Sequence, residues 1–133
     1  MSALVHAAVK ARLNSYSPYS NFKVGAALLD EHGIIHVGCN VENSAYPEGT
    51  CAEAGAIASM AISGARKIME VAVVGAGSGL VTPCGGCRQK LREFAAPDVK
   101  IHVCNDGGNI KRTFTLDELL PSSFGPDNLE AVK

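Results

Sequence analysis

A chain of 133 residues that is 47% hydrophobic and 19% charged has the composition of one globular domain, not of a disordered segment. A net charge of −1 argues against the broad basic face needed to hold long nucleic acid by its phosphates, and favours a small, weakly charged ligand. Aromatic residues make up only 5% and Trp is absent, so the core must be built from Ala, Val, Ile and Leu.

The first element expected is a helix over residues 3–13, with Leu4, Ala7, Ala8 and Ala11 at helical spacing. Residues 15–21, rich in Ser, Pro and Tyr, read as a loop. Residues 23–29 read as a strand with Val24, Ala26 and Leu28 on one side. A turn over 30–33, ending in Gly33, returns the chain as a second strand over 34–41, making a hairpin. The stretch 42–50 is polar and irregular. An Ala-rich helix over 52–63 stops at Gly64. Residues 68–75 form an apolar run bounded by glycine, consistent with a strand buried on both faces. After a flexible loop to Pro83, residues 84–94 read as a helix. A strand over 100–104, a turn over 105–108, a weaker strand over 110–115 and a short helix or turn over 116–120 follow, and the tail holds at most one more helical turn. The order predicts an α/β fold, a three-layer α-β-α sandwich around a mixed five-stranded sheet, with a right-handed crossover between parallel neighbours. A single domain over 1–133 is expected.

Five cysteines cannot all pair internally, and in a reducing compartment they serve better as metal ligands, catalytic groups or small buried apolar residues. Cys84 and Cys87 form a Cys-x-x-Cys at the mouth of one predicted helix, and Cys51 opens another. Two helix N-termini aimed at one point favour thiolates, and three thiolates suit Zn²⁺ with its fourth position open to water. Taken alone, the Cys-x-x-Cys is also a redox pair or half of a structural four-cysteine site. The third cysteine weighs against the first alternative and the absence of a fourth ligand against the second. Cys39 and Cys104, at the ends of apolar strands, are expected to be free and buried. His6, His32, His36 and His102 are scattered and read as surface or strand-edge residues.

Glu53, two residues after Cys51, is placed for general acid–base work beside the water such a metal would hold; read alone, it is as well explained as a first-turn partner of the helix dipole. Cys51-x-Glu53 followed by Pro83-Cys84-x-x-Cys87 corresponds to the known signature of zinc deaminases, in which the Glu is not a ligand.

With that signature, the chain resembles the cytidine deaminases of the small homotetrameric class. The likeness runs from about Ser17 to Leu129 and is carried by four stretches: 17–28, 38–46, the zinc-site segments 50–53 and 83–89, and 119–124. The resemblance implies that Cys51, Cys84 and Cys87 hold one Zn²⁺ per chain and that Glu53 shuttles protons. It further implies that Asn40 and Glu42 bond the ribose hydroxyls, Phe22 packs on the nucleoside, and the Ala52 N–H addresses the base oxygen. Tyr46 and Phe124 would reach active sites of neighbouring subunits in a homotetramer. The implied activity is hydrolytic deamination of cytidine or deoxycytidine in pyrimidine salvage. One departure stands out: the family's usual Arg after Cys-Ala-Glu is Ala54 here. The excess thiolate charge then falls to the helix N-termini or to another cation such as Arg88. Relatives acting on the antibiotic nucleoside blasticidin S also lack that Arg, which keeps such a substrate as an alternative, and a non-catalytic zinc-binding module is the alternative from another class. With no basic leader, no membrane-length apolar run and no basic stripe, a cytoplasmic protein without membrane or nucleic-acid polymer partners is expected.

Overall fold

The structure is a computed structural model and describes all 133 residues. Helix α1 (Ala3–Arg12) begins at Ser2, whose hydroxyl accepts the Val5 N–H at 3.2 Å, and keeps Lys10 and Arg12 in its last turn, where cations oppose the helix dipole. Strands β1 (Val24–Asp30) and β2 (Ile35–Cys39) form the expected antiparallel hairpin. Asp30 shapes its turn: Oδ1 accepts the His32 and Ile34 N–H groups at 2.7 and 3.0 Å, and Oδ2 meets His36 Nε2 at 2.7 Å.

Helix α2 (Ala52–Ile62) is followed at Gly64 by a positive φ of 94°, a backbone conformation open to glycine that ends the helix where the sequence predicts. Strand β3 (Ile68–Gly75), helix α3 (Gly85–Phe94) and strand β4 (Ala95–Cys104) form the crossover unit, and β3 and β4 are the one parallel pair. Strand β5 (Ile110–Thr115) closes the sheet, and short helices α4 (Leu116–Leu119) and α5 (Pro126–Glu130) finish the chain. The sheet order is β2-β1-β3-β4-β5.

β4 starts at Ala95, earlier than the expected Lys100. Ala95 pairs with Ile68 directly after α3, and the register then jumps to Lys100 opposite Glu70. Pro97 and Asp98, both poor strand residues, fall in that irregularity.

Two cores flank the sheet. On one side α1 buries Leu4, Val5 and Ala8 against Ala27, Ala72 and Val74. On the other, Ala56 and Met60 of α2 and Leu91 of α3 pack on Leu28, Val71, Val73, Ile101 and Val103. From Val71 on, β3 therefore alternates between two buried faces, as its apolar run predicts, while Met69 is exposed and Glu70 half-buried at its start. The three-layer sandwich is present, and it places the N-termini of α2 and α3 on the same side of the sheet.

Candidate metal centre

Cys51 and Cys84 are the N-cap residues of α2 and α3, and Cys87 lies in the first turn of α3. Their three sulfurs lie within 4.8 Å of one another, with Cys51 Sγ 4.0 Å from Cys84 Sγ. A tetrahedral Zn²⁺ with Zn–S bonds of about 2.3 Å sets sulfurs about 3.8 Å apart, so this thiol triangle has the size the ion requires. Cys87 is buried while Cys51 and Cys84 are exposed, so the cluster has a protein-facing and an open side. The Cys87 N–H bonds the Cys84 sulfur and holds that thiol below its ordinary range, whereas burial pushes Cys51 and Cys87 up. Metal binding requires all three as thiolates, and an ion supplies the charge that drives off their protons. Cys39 and Cys104 stand apart from the cluster as free thiols, Cys39 half-buried and Cys104 buried.

Glu53, in the first turn of α2, is 4% exposed, and burial pushes its carboxyl above the ordinary carboxylate range. A carboxyl so displaced is better matched to taking and returning protons near neutral pH. Ala52 is the first residue of α2, and the N–H groups of a first helical turn have no partner within the helix.

The expected nucleoside segment lies beside this centre. Val41 and Thr50 exchange hydrogen bonds at 2.9 and 2.8 Å, which brings Glu42 next to the start of α2. Asn40 and Glu42 are not free arms. Asn40 Oδ1 accepts the Val24 N–H at 2.9 Å and the Ser15 hydroxyl, while Nδ2 donates to the Phe22 carbonyl at 2.7 Å. Glu42 Oε1 accepts the Tyr19 and Ser20 N–H groups at 2.9 and 3.1 Å, and Oε2 accepts the Ser20 hydroxyl. Led by that hydroxyl, these donors hold Glu42 below the ordinary carboxylate range. Asn40 keeps one free N–H, and Glu42 Oε2 keeps one lone-pair direction. A cleft of about 300 Å³ opens beside them, lined by Tyr19, Ser20, Glu42, Asn43, Tyr46 and Gly49. Tyr19 and Tyr46 form a tilted aromatic pair across it, 5.7 Å between centroids.

The anchoring roles of Ser15, Tyr19 and Ser20 escape sequence reasoning, because they depend on how the 15–22 loop folds over the 40–42 segment. Phe22, Tyr46 and Phe124 are all exposed on this chain. The Gln89 side-chain amide donates to the Phe124 carbonyl at 2.9 Å and fixes that segment to α3. Arg88 donates no hydrogen bond to the sulfurs. Its guanidinium donates to the carbonyls of Pro83 and Leu119, both at 2.7 Å, and to the Thr82 hydroxyl at 3.2 Å. It therefore braces the loop leading into α3 and the end of α4. The histidines lie away from the thiols; His36 sits on an edge strand but is buried against Asp30, and His102 pairs with Glu70 at 2.5 Å.

Three thiols at two helix N-termini beside a buried carboxyl, on this α/β sandwich, define a zinc-binding deaminase class. The chain belongs to the cytidine and deoxycytidylate deaminase family: residues 1–103 match the family model for the zinc-binding region of those enzymes. A cytidine deaminase of Sporosarcina psychrophila is 44% identical over 126 residues, covering 95% of this chain and 92% of that one. Another, from Halalkalibacterium halodurans, is 39% identical and covers 95% of each chain. The crystal structure of cytidine deaminase from Burkholderia pseudomallei superposes with a TM-score of 0.86 at 42% identity, over 93% of this chain and all of that one.

Proposed function

We propose that this chain is a zinc-dependent hydrolytic deaminase that converts cytidine and deoxycytidine to the corresponding uridines, releasing ammonia. The observation that carries the reading is the buried Glu53 carboxyl at the helix start capped by Cys51, in a cluster with Cys84 and Cys87. Cys51, Cys84 and Cys87 hold the metal in this reading. Bound Zn²⁺ supplies Lewis-acid activation of water, lowering its pKa toward neutrality.

Glu53 takes a proton from the attacking water and delivers one to N3 of the cytosine ring, which makes C4 electrophilic. After attack at C4, Glu53 takes the proton of the new C4 hydroxyl and passes it to the exocyclic amine, so the C4 carbonyl forms as the C–N bond breaks with ammonia as the leaving group. The Ala52 N–H donates to the base O2. Phe22 packs on the nucleoside.

Asn40 and Glu42 address the sugar. Their remaining capacity is one donor and one acceptor direction, which is what a single hydroxyl uses when it both accepts and donates. A site that reads one hydroxyl treats ribose and deoxyribose alike if that hydroxyl is the 3′ one. The 2′ position then contributes little to discrimination.

We read 1–133 as one deaminase domain acting in pyrimidine salvage in the cytoplasm. In the homotetramer of this reading, Tyr46 and Phe124, both exposed on this chain, reach into neighbouring sites. No helix is long and apolar enough to cross a membrane. A structural zinc module would close the coordination shell with a fourth protein ligand, whereas the cluster has three members.

The test is deamination of cytidine, deoxycytidine, cytosine and blasticidin S side by side, followed by ultraviolet absorbance and ammonia release. The two cytosine nucleosides should turn over at comparable kcat/KM and far faster than the free base. Turnover of blasticidin S alone would replace the proposed substrate, and no turnover of any would remove the enzymatic reading.

A further inference from the structure

Three thiolates on a divalent ion leave one surplus negative charge, and the Glu53 carboxylate adds another beside it. Arg88, the cation nearest in sequence, is spent on carbonyl oxygens. Next to Glu53 the chain has Ala54, which lines a groove of about 450 Å³ between α2 and α3 together with Ile57, Ala58, Phe94 and Lys90. Helical side chains lean toward the N-terminus, so Lys90 lies back over the residue four positions earlier. That residue is Gly86, between Cys84 and Cys87, and it has no side chain to compete for the space. The Lys90 Nζ is 3.7 Å from the point where a Cβ on Gly86 would stand.

The ammonium is uncommitted. The chain's four ion pairs do not include it, although Glu93 borders the same groove, and Lys90 donates no hydrogen bond. We propose that Lys90 is the cation that offsets the surplus negative charge of a metal held by Cys51, Cys84 and Cys87, with its ammonium seated over Gly86 beside Ala54. The proposal rests on the zinc reading of the same site. It assigns Lys90 a positioning role through charge, with no contact to the reacting atoms.

The test is zinc affinity, measured by competition with a chromophoric chelator, for the parent chain, Lys90→Met and Lys90→Arg. Met keeps the aliphatic length and removes the charge, while Arg keeps the charge. Outer-shell partners of bound metals are typically worth 10–100-fold in affinity. At low ionic strength Lys90→Met should weaken zinc binding about tenfold, and Lys90→Arg should stay within about twofold of the parent. The deficit of Lys90→Met should shrink as salt rises, because this ammonium is exposed and screened. Loss of packing alone would give a salt-independent deficit and would overturn the proposal, as would a Lys90→Met affinity within threefold of the parent. Metal-free melting curves of the three chains check that each folds; if Lys90→Met does not, Lys90→Gln takes its place. A chain that binds zinc with this charge dependence yet deaminates no nucleoside would refute the proposed activity and leave the role of Lys90 standing.

Discussion

Gly38 on β2 stands directly against Ala52 at the start of α2: a Cβ on Gly38 would lie 2.3 Å from the Ala52 carbonyl oxygen and 2.5 Å from the Ala56 nitrogen. Backbone meets backbone there, so neither side has a flexible group to move. The contact sets the depth at which the N-terminus of α2, with Cys51 and Glu53, sits on the sheet. Gly38→Ala is therefore expected to destabilise the chain by about 3 kcal/mol, at the upper end of overpacking costs, and to lower Tm by roughly 10 °C. Metal-free thermal unfolding followed by circular dichroism measures this, and an unchanged Tm would show that the helix seats elsewhere.

Glu53→Gln keeps the size of the side chain and removes its capacity to carry a proton. The variant should hold one zinc per chain and lose about a thousandfold in kcat, within the range for general acid–base groups. Metal analysis and steady-state kinetics on the same preparation separate the two effects. Near-parental kcat would remove Glu53 from the chemistry, and loss of the metal would make it a ligand.

In the proposed reading Glu42 binds the sugar and Ser20, which donates to its carboxylate, steadies it. Glu42→Ala should raise KM for cytidine and deoxycytidine by similar factors of about tenfold or more, and leave the slow turnover of free cytosine nearly unchanged. Ser20→Ala removes the hydroxyl that steadies Oε2 and should give a smaller rise in KM with kcat little altered. Equal loss on nucleosides and free base would contradict the assignment to the sugar.

Asp30 gives a pH-dependent stability far from the metal centre. Burial alone would raise its pKa, but hydrogen bonds with His36, Ile34 and His32 outweigh that and hold the carboxyl below its ordinary value. A carboxyl depressed in the folded state contributes stability that is complete above its unfolded pKa of about 3.9, and that fades as pH falls through the folded value. Asp30→Asn should therefore melt below the parent at neutral pH, with the gap narrowing below about pH 4. A gap independent of pH would assign the effect to turn geometry instead of charge.

Much of this molecule was readable from residues alone, for physical reasons. Strand β3 showed itself as an apolar run because both its faces are covered. Glycines and polar turns bounded most elements, and Cys51, Glu53, Cys84 and Cys87 sit at helix starts, where spacing in sequence becomes proximity in space. What stayed hidden was long-range or irregular. The start of β4 at Ala95 lay behind Pro97 and Asp98. Ser15 and Ser20 owe their roles to a loop folded across Asn40 and Glu42, which no local pattern encodes. Arg88 offers its charge to carbonyls, and only the seating of α4 against α3 reveals that. Lys90 instead stands over Gly86, across the groove from Ala54 on α2, a juxtaposition that no local pattern encodes.

The most direct measurement is cytidine turnover by the zinc-loaded chain, repeated after chelation and after zinc is returned. One ammonia and one uridine should form per cytidine consumed, turnover should fall in step with zinc removal, and it should recover with about one zinc per chain. Full turnover by metal-free protein, or none by protein carrying one zinc per chain, would contradict the proposed zinc-dependent deamination.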